Sequence, residues 1–133
     1  MDPTQPKILV IEDDLIGQKV LQLLLGAFEC KIDVADTGQK ALTLIAENNY
    51  ELIFMDIGLP DANGLDLCEK LLSSETQTKN LKIVIVSAYS DTHYQSRLES
   101  LGLDHILKPM TAEKCQNILS KYVPTLKKQV LHE

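Results

Sequence analysis

Residues 50–60 read YELIFMDIGLP, and the fold follows from how that stretch is read. Leu52, Ile53, Phe54 and Met55 form a short apolar run with β-branched and aromatic character, closed by Gly58 and Pro60. Such a run predicts a strand buried on both faces, which belongs in the middle of a parallel sheet. The run ends in a carboxylate, Asp56. Sites in open parallel sheets lie just beyond the carboxyl ends of the strands, so Asp56 stands where a reactive group would stand. An aspartate that merely starts a Gly-Pro turn is the other reading of the same residue.

The same pattern recurs on both sides. Lys7 to Ile11 is a second buried run, ending in Glu12, Asp13 and Asp14. Lys82 to Val86 is another, ending in Ser87 and Ala88, and Asp104 to Leu107 is a shorter one, ending in Lys108 and Pro109. Lys31 to Ala35 reads as a short strand in which Ile32 and Val34 alternate. Helical spacing lies between them. It covers Leu15 to Phe28 (Leu15, Ile16, Val20, Leu23, Leu24, Ala27), Ala41 to Ala46, Leu65 to Leu72, a segment to about Ser100, and Thr111 to about Tyr122. Asp14, Thr37, Thr111 and either Ser90 or Asp91 suit the N-cap, and Gly102 stops the fourth helix. Residues 73–80 read as a polar loop. Five strands alternating with five helices call for an α/β domain, a parallel sheet with helices on both faces and right-handed crossovers.

The totals agree. A chain of 133 residues, 44% hydrophobic, suits one domain. Residues 1–6 read as a flexible leader, 7–122 as the domain, and 123–133 as a charged tail or linker too poor in apolar residues to pack strongly. The net charge of -6 argues against binding nucleic acid through this surface. No apolar run approaches the roughly 20 residues that span a bilayer, and no signal-peptide core opens the chain. Cys30, Cys68 and Cys115 show neither metal spacing nor a disulfide framework, which suggests a reducing, cytoplasmic setting with buried thiols.

Glu12, Asp13, Asp56, Ser87 and Lys108 all follow strands and so fall on one edge of the sheet. Crowded carboxylates favour a cation among them. An all-oxygen set favours a hard ion, Mg²⁺ or Mn²⁺, over zinc. A carboxylate held there can attack phosphorus, while a lysine and a hydroxyl supply the charge and donors that a phosphoryl group needs.

The motifs ILVIEDD (8–14), IFMDIGLPDANG (53–64), IVIVSA (83–88) and LKP (107–109) resemble the receiver domain of two-component phosphorelay response regulators, in order and spacing, over about residues 7–122. That resemblance implies the flavodoxin-like doubly wound sheet of order 2-1-3-4-5. It implies Asp56 as phosphoacceptor, Asp13 as a direct Mg²⁺ ligand, Glu12 as a ligand through water, and the Gly58 carbonyl as a third protein ligand. Ser87 and Lys108 would hold the phosphoryl group, Pro109 would follow a cis peptide, and Gly58 and Tyr89 would flank the path of attacking water. The domain would be a signalling switch with self-directed phosphotransfer and dephosphorylation, loaded by a histidine kinase or His-containing phosphotransfer domain. A weak homodimer through residues 91–122 fits the same family.

Two positions depart from the commonest family pattern. Glu12 stands for the usual Asp, and His105 for a Tyr or Phe that rotates inward on activation. His105 reads either as a titratable switch or as a half-buried strand residue with no switching role. His93 and His132 read as exposed. Residues 31–38 (KIDVADTG) and 41–71 are similar to receivers attached to hybrid sensor kinases. Three other readings fit the residues less well. A haloacid-dehalogenase-type phosphatase would carry an aspartate where Gly58 stands. An interaction module independent of phosphorylation usually lacks one or more of the five polar groups, and the acidic loop EDDLIG (12–17) would repel a flavin phosphate.

Overall fold

The computed structural model describes residues 5–73, 81–88 and 92–129; Tyr89, Ser90, Asp91 and His132 lie outside them, as does the side chain of His93. Ten elements alternate: β1 (Lys7–Ile11), α1 (Leu15–Leu25), β2 (Lys31–Ala35), α2 (Gly38–Glu47), β3 (Leu52–Asp56), α3 (Gly64–Ser73), β4 (Ile83–Ser87), α4 (Thr92–Leu101), β5 (Asp104–Leu107) and α5 (Ala112–Tyr122). The five strands form one parallel sheet of order β2-β1-β3-β4-β5.

Each inner strand feeds two cores, because successive side chains point to opposite faces. Leu9, Ile11, Ile53, Met55, Ile83 and Ile85 pack with Ala41 and Ile45 of α2, Leu65, Cys68 and Leu71 of α3, and Leu98 of α4. Ile8, Val10, Leu52, Phe54, Val84 and Val86 pack with Leu21 and Leu25 of α1 and with Cys115, Ile118 and Leu119 of α5. Burial pushes the Cys30, Cys68 and Cys115 thiols up to about 11, 12 and 11, so none is primed as a thiolate.

Helix starts follow the expected caps. Asp14, Thr37 and Thr111 accept from the amides of Gly17, Lys40 and Lys114. Gly102, with φ at 68°, takes the left-handed conformation that ends α4. The N-cap expected at Ser90 or Asp91 lies outside the described residues.

Two details differ from the sequence reading. In α1 the buried residues are Leu21 and Leu25, while Leu15, Ile16 and Leu23 are 67%, 73% and 79% exposed. The helix is apolar on more than one face, and only its seat on the sheet decides which face is covered. The segment after Pro124 also packs more than its composition suggests. Leu126 joins the α1–α5 core, Phe28 and Lys128 form an antiparallel bridge, and the amides of Glu29 and Gln129 donate to Lys127 and Ala27 carbonyls at 2.7 and 2.8 Å. Backbone pairing needs no apolar side chains, so composition could not show it.

Candidate functional site

The sheet order places β1 beside β3, although α1, β2 and α2 separate them in the chain. Chains leaving these two strands diverge to opposite faces and leave a crevice between them. Carboxylate oxygens of Glu12, Asp13 and Asp56 lie there within 4.8 Å of one another. Glu12 is nearly inaccessible at 3%, Asp56 is half-buried and Asp13 is exposed, so the cluster grades from the interior to solvent.

Lys108 reaches in from the end of β5, its Nζ 2.6 Å from Glu12 Oε1 and 3.5 Å from Asp56 Oδ2. Burial opposes its charge, but two neighbouring carboxylates outweigh that cost and hold the ammonium above its ordinary value. Glu12 is pushed the other way for a carboxylate: burial first, and then the adjacent Asp56, raise it. One cation therefore serves two acids, with a third acid at the rim. The fit with a hard divalent ion is direct, since the donors are oxygens and negative charge exceeds positive.

Ser87 ends β4, one residue past the Val86 position that pairs with Asp56. Its Oγ lies 2.7 Å from His105 Nε2. His105 therefore points at the site rather than away from it. Burial lowers its basicity. The Lys108–Pro109 peptide is cis. The Lys108 amide donates to the Ser87 carbonyl at 2.7 Å, tying the two loops together. Gly58 follows Asp56 by two residues, and its amide donates to Asp56 Oδ1 at 3.4 Å. Tyr89 lies outside the described residues.

Several supporting groups carry no signal in sequence. Gln18 Nε2 donates to the Glu12 carbonyl at 2.7 Å, bracing the turn between β1 and α1. Lys114 Nζ donates to the carbonyls of Leu107 and Pro109 at 2.8 and 3.1 Å, bracketing the loop that carries Lys108. Asp61 accepts from the Gly38 and Gln39 amides at 2.7 and 3.1 Å and so caps α2 from the loop after β3. Gly64 packs so tightly behind Asp56 that an added Cβ would lie 2.2 Å from the Asp56 carbonyl oxygen. Each joins an element to a loop at a spacing that neither helical nor strand periodicity marks.

A cleft of about 350 Å³ opens beside the acids, lined by Ile16, Val20, Leu21, Val86, Pro109 and Met110, with Glu12 and Lys108 at its edge.

Residues 8–120 match the family model of the response regulator receiver domain. This chain belongs to that family. Receiver domains are signalling switches rather than enzymes acting on an outside substrate. The chain is 33% identical over 108 residues to response regulator ArlR of Staphylococcus haemolyticus, covering 80% of this chain and 48% of that protein. It is 30% identical over 125 residues to hybrid signal transduction histidine kinase F of Dictyostelium discoideum, covering 90% of this chain and 11% of that protein. The chain thus spans half or less of these relatives. Among solved structures, the response regulator TrrA of Thermotoga maritima in complex with Mg²⁺ and BeF superposes with a TM-score of 0.76 at 27% identity, covering 89% of this chain and 99% of that one. A receiver domain from Methanospirillum hungatei reaches 0.81 at 22% identity, covering 92% and 96%, and shares the fold. No helix among the described residues of this receiver domain is long and apolar enough to cross a membrane.

Proposed function

We propose that this receiver domain accepts a phosphoryl group on Asp56 from a partner phosphohistidine, in a Mg²⁺-dependent reaction, and changes its partner-binding face as a result. The convergence of Glu12, Asp13 and Asp56 from two strands, with Lys108 bridging two of them, carries this reading.

Asp13 and Asp56 would hold the ion directly, Glu12 through water, and the Gly58 carbonyl would complete the protein's share; Mn²⁺ would serve in place of Mg²⁺. Bound there, the ion would neutralise charge on the phosphoryl oxygens. Asp56 Oδ attacks phosphorus while the N–P bond of the partner breaks, and the imidazole leaves with the bonding electrons and takes up a proton. Lys108 pairs with the incoming oxygens and exchanges part of its hold on Glu12 for them. The Ser87 hydroxyl donates to the same group. His105, already bonded to Ser87, follows that movement, and repacking reaches α4, β5 and α5. Such a change biases two existing arrangements. Water entering past Gly58 hydrolyses the acyl phosphate and resets the switch.

The partner, a histidine kinase or phosphotransfer domain, docks on the first turn of α1, where Leu15 and Ile16 are exposed beside the apolar cleft. The same reading places the domain in the cytoplasm, assigns it no nucleic-acid contact, and leaves residues 91–122 as the face for weak self-association.

Incubation with acetyl phosphate and Mg²⁺, followed by intact-mass measurement, tests the central step. The expected result is a Mg²⁺-dependent phosphoryl gain in the wild type and none in Asp56→Asn. An equal gain in the variant would place the phosphoryl group elsewhere and end the proposal.

A further inference from the structure

Gly17 lies inside α1, where glycine is the least favoured residue after proline. Its positive-φ freedom is unused, since Gly102 is the one glycine with positive φ among the described residues. What the position lacks is a side chain, and Glu12 fills that space. A Cβ on Gly17 would stand 2.5 Å from Glu12 Oε1, 2.9 Å from its Cδ and 3.1 Å from its Cγ. Three atoms of one acidic side chain therefore rest on the bare backbone of the helix.

Glu12 has little freedom to step aside. It is 3% exposed. Its Oε1 holds Lys108 Nζ at 2.6 Å, its Oε2 accepts from the Asp14 amide at 3.3 Å, and its backbone carbonyl accepts from Gln18 at 2.7 Å. Relieving a 2.5 Å approach takes a shift of about 1 Å, since ordinary carbon contacts begin near 3.5 Å. That shift breaks at least one of these bonds. The Asp14 amide cannot follow, because the Asp14 carboxylate is engaged at the Gly17 amide, 2.9 Å away, as the cap of α1.

We propose that Gly17 is a positioning residue of the acidic site, the seat that lets the longer acid at position 12 present its carboxylate to Lys108 and to the divalent ion. The proposal rests on the metal-dependent reading of this site. It makes a reciprocal demand: an acid shorter by one methylene withdraws from Gly17 and no longer needs the seat. Its carboxyl carbon would stand near the Glu12 Cγ position, where a 3.1 Å approach is relieved by a few tenths of an ångström, and its two oxygens can turn away from Gly17 about a single bond.

A cycle of four proteins tests this: wild type, Gly17→Ala, Glu12→Asp and the double variant. Calorimetric titration with Mg²⁺ should show binding weakened about 10-fold or more by Gly17→Ala in the wild-type background, the scale at which misplaced supporting groups act. The same substitution in the Glu12→Asp background should change affinity by less than about 3-fold, because interacting neighbours are non-additive. The metal-free protein supplies a second readout. The Asp14 amide resonance, reporting its bond to Glu12, should move in Gly17→Ala and stay in place when Gly17→Ala is added to Glu12→Asp. Alanine favours the helix, so thermal melting should show no loss from Gly17→Ala beyond that caused by the displaced acid; should the single variant fail to fold, the double variant should fold. Equal Mg²⁺ affinity in wild type and Gly17→Ala, an equal loss in both backgrounds, or an unfolded double variant would overturn the proposal. Phosphoryl transfer enters none of these readouts. A wild type that binds Mg²⁺ and shows the cycle but gains no phosphoryl group on Asp56 would sink the phosphoacceptor reading alone.

Discussion

At Ser87 and His105 a single hydrogen bond of 2.7 Å decides how the switch is wired. A neutral imidazole can donate from Nε2 or accept there, and a protonated one only donates. If Nε2 donates, the Ser87 oxygen accepts in this bond; if Nε2 accepts, the Ser87 hydroxyl donates to it. Burial holds His105 below its ordinary value. Just below about pH 6.5 the unfolded chain therefore binds the proton that the folded chain refuses, and stability falls as pH drops through the folded value. His105→Phe should remove this slope. Urea midpoints taken at about pH 7.5 and 5.5 should separate more widely in the wild type than in the variant, and equal separations would place the imidazole in contact with solvent. The His105 side chain faces Ser87, an arrangement open to both roles read for it in sequence.

Among the elements, α2 shows how a loop near the site also holds the frame. Thr37 caps it locally, accepting from the Lys40 amide at 3.1 Å, while Asp61 caps it from the loop that follows Asp56. Backbone donors at the helix start keep the Asp61 carboxyl below its usual range. Thr37→Ala should cost about 1 kcal/mol by chemical denaturation, the usual worth of such a cap. No change would mean that Asp61 satisfies the helix start alone. In α4, by contrast, Leu98 is the buried anchor among the described side chains, and Arg97 reaches across to Asp66 and Glu69 of α3 at 2.7 and 2.8 Å. Those ion pairs are exposed and add little. The helix expected to move on activation is thus lightly held, whereas α1 and α5 are locked by Leu21, Leu25, Cys115, Ile118 and Leu119.

For the molecule as a whole, two cores lie on opposite faces of the sheet, and at its acidic edge three carboxylates meet one lysine. Removing that repulsion should stabilise the entire domain. A Mg²⁺ concentration 100 times the dissociation constant should add about 2.7 kcal/mol to unfolding. Thermal melting should rise with Mg²⁺ and return on chelation, and Asp56→Asn should blunt the response. A melting temperature indifferent to Mg²⁺ would mean that no ion is held by the native fold.

Much of this was legible in the chain. The strands are short apolar runs set between helical periods, and that alternation leaves a parallel sheet as the way to bury both faces. Placing Glu12, Asp13, Asp56, Ser87 and Lys108 on one edge needed only the rule that parallel strands share a direction. What pattern could not supply was every relation that closes through space. The buried face of α1, the Asp61 cap on α2, the Lys114 brace, the return of residues 126–129 onto 27–30, and the bare helix backbone beneath Glu12 all join residues with no periodic link. Periodicity reports which side chains avoid water along one element; distances between elements are set by packing, and packing exists only once the elements have met.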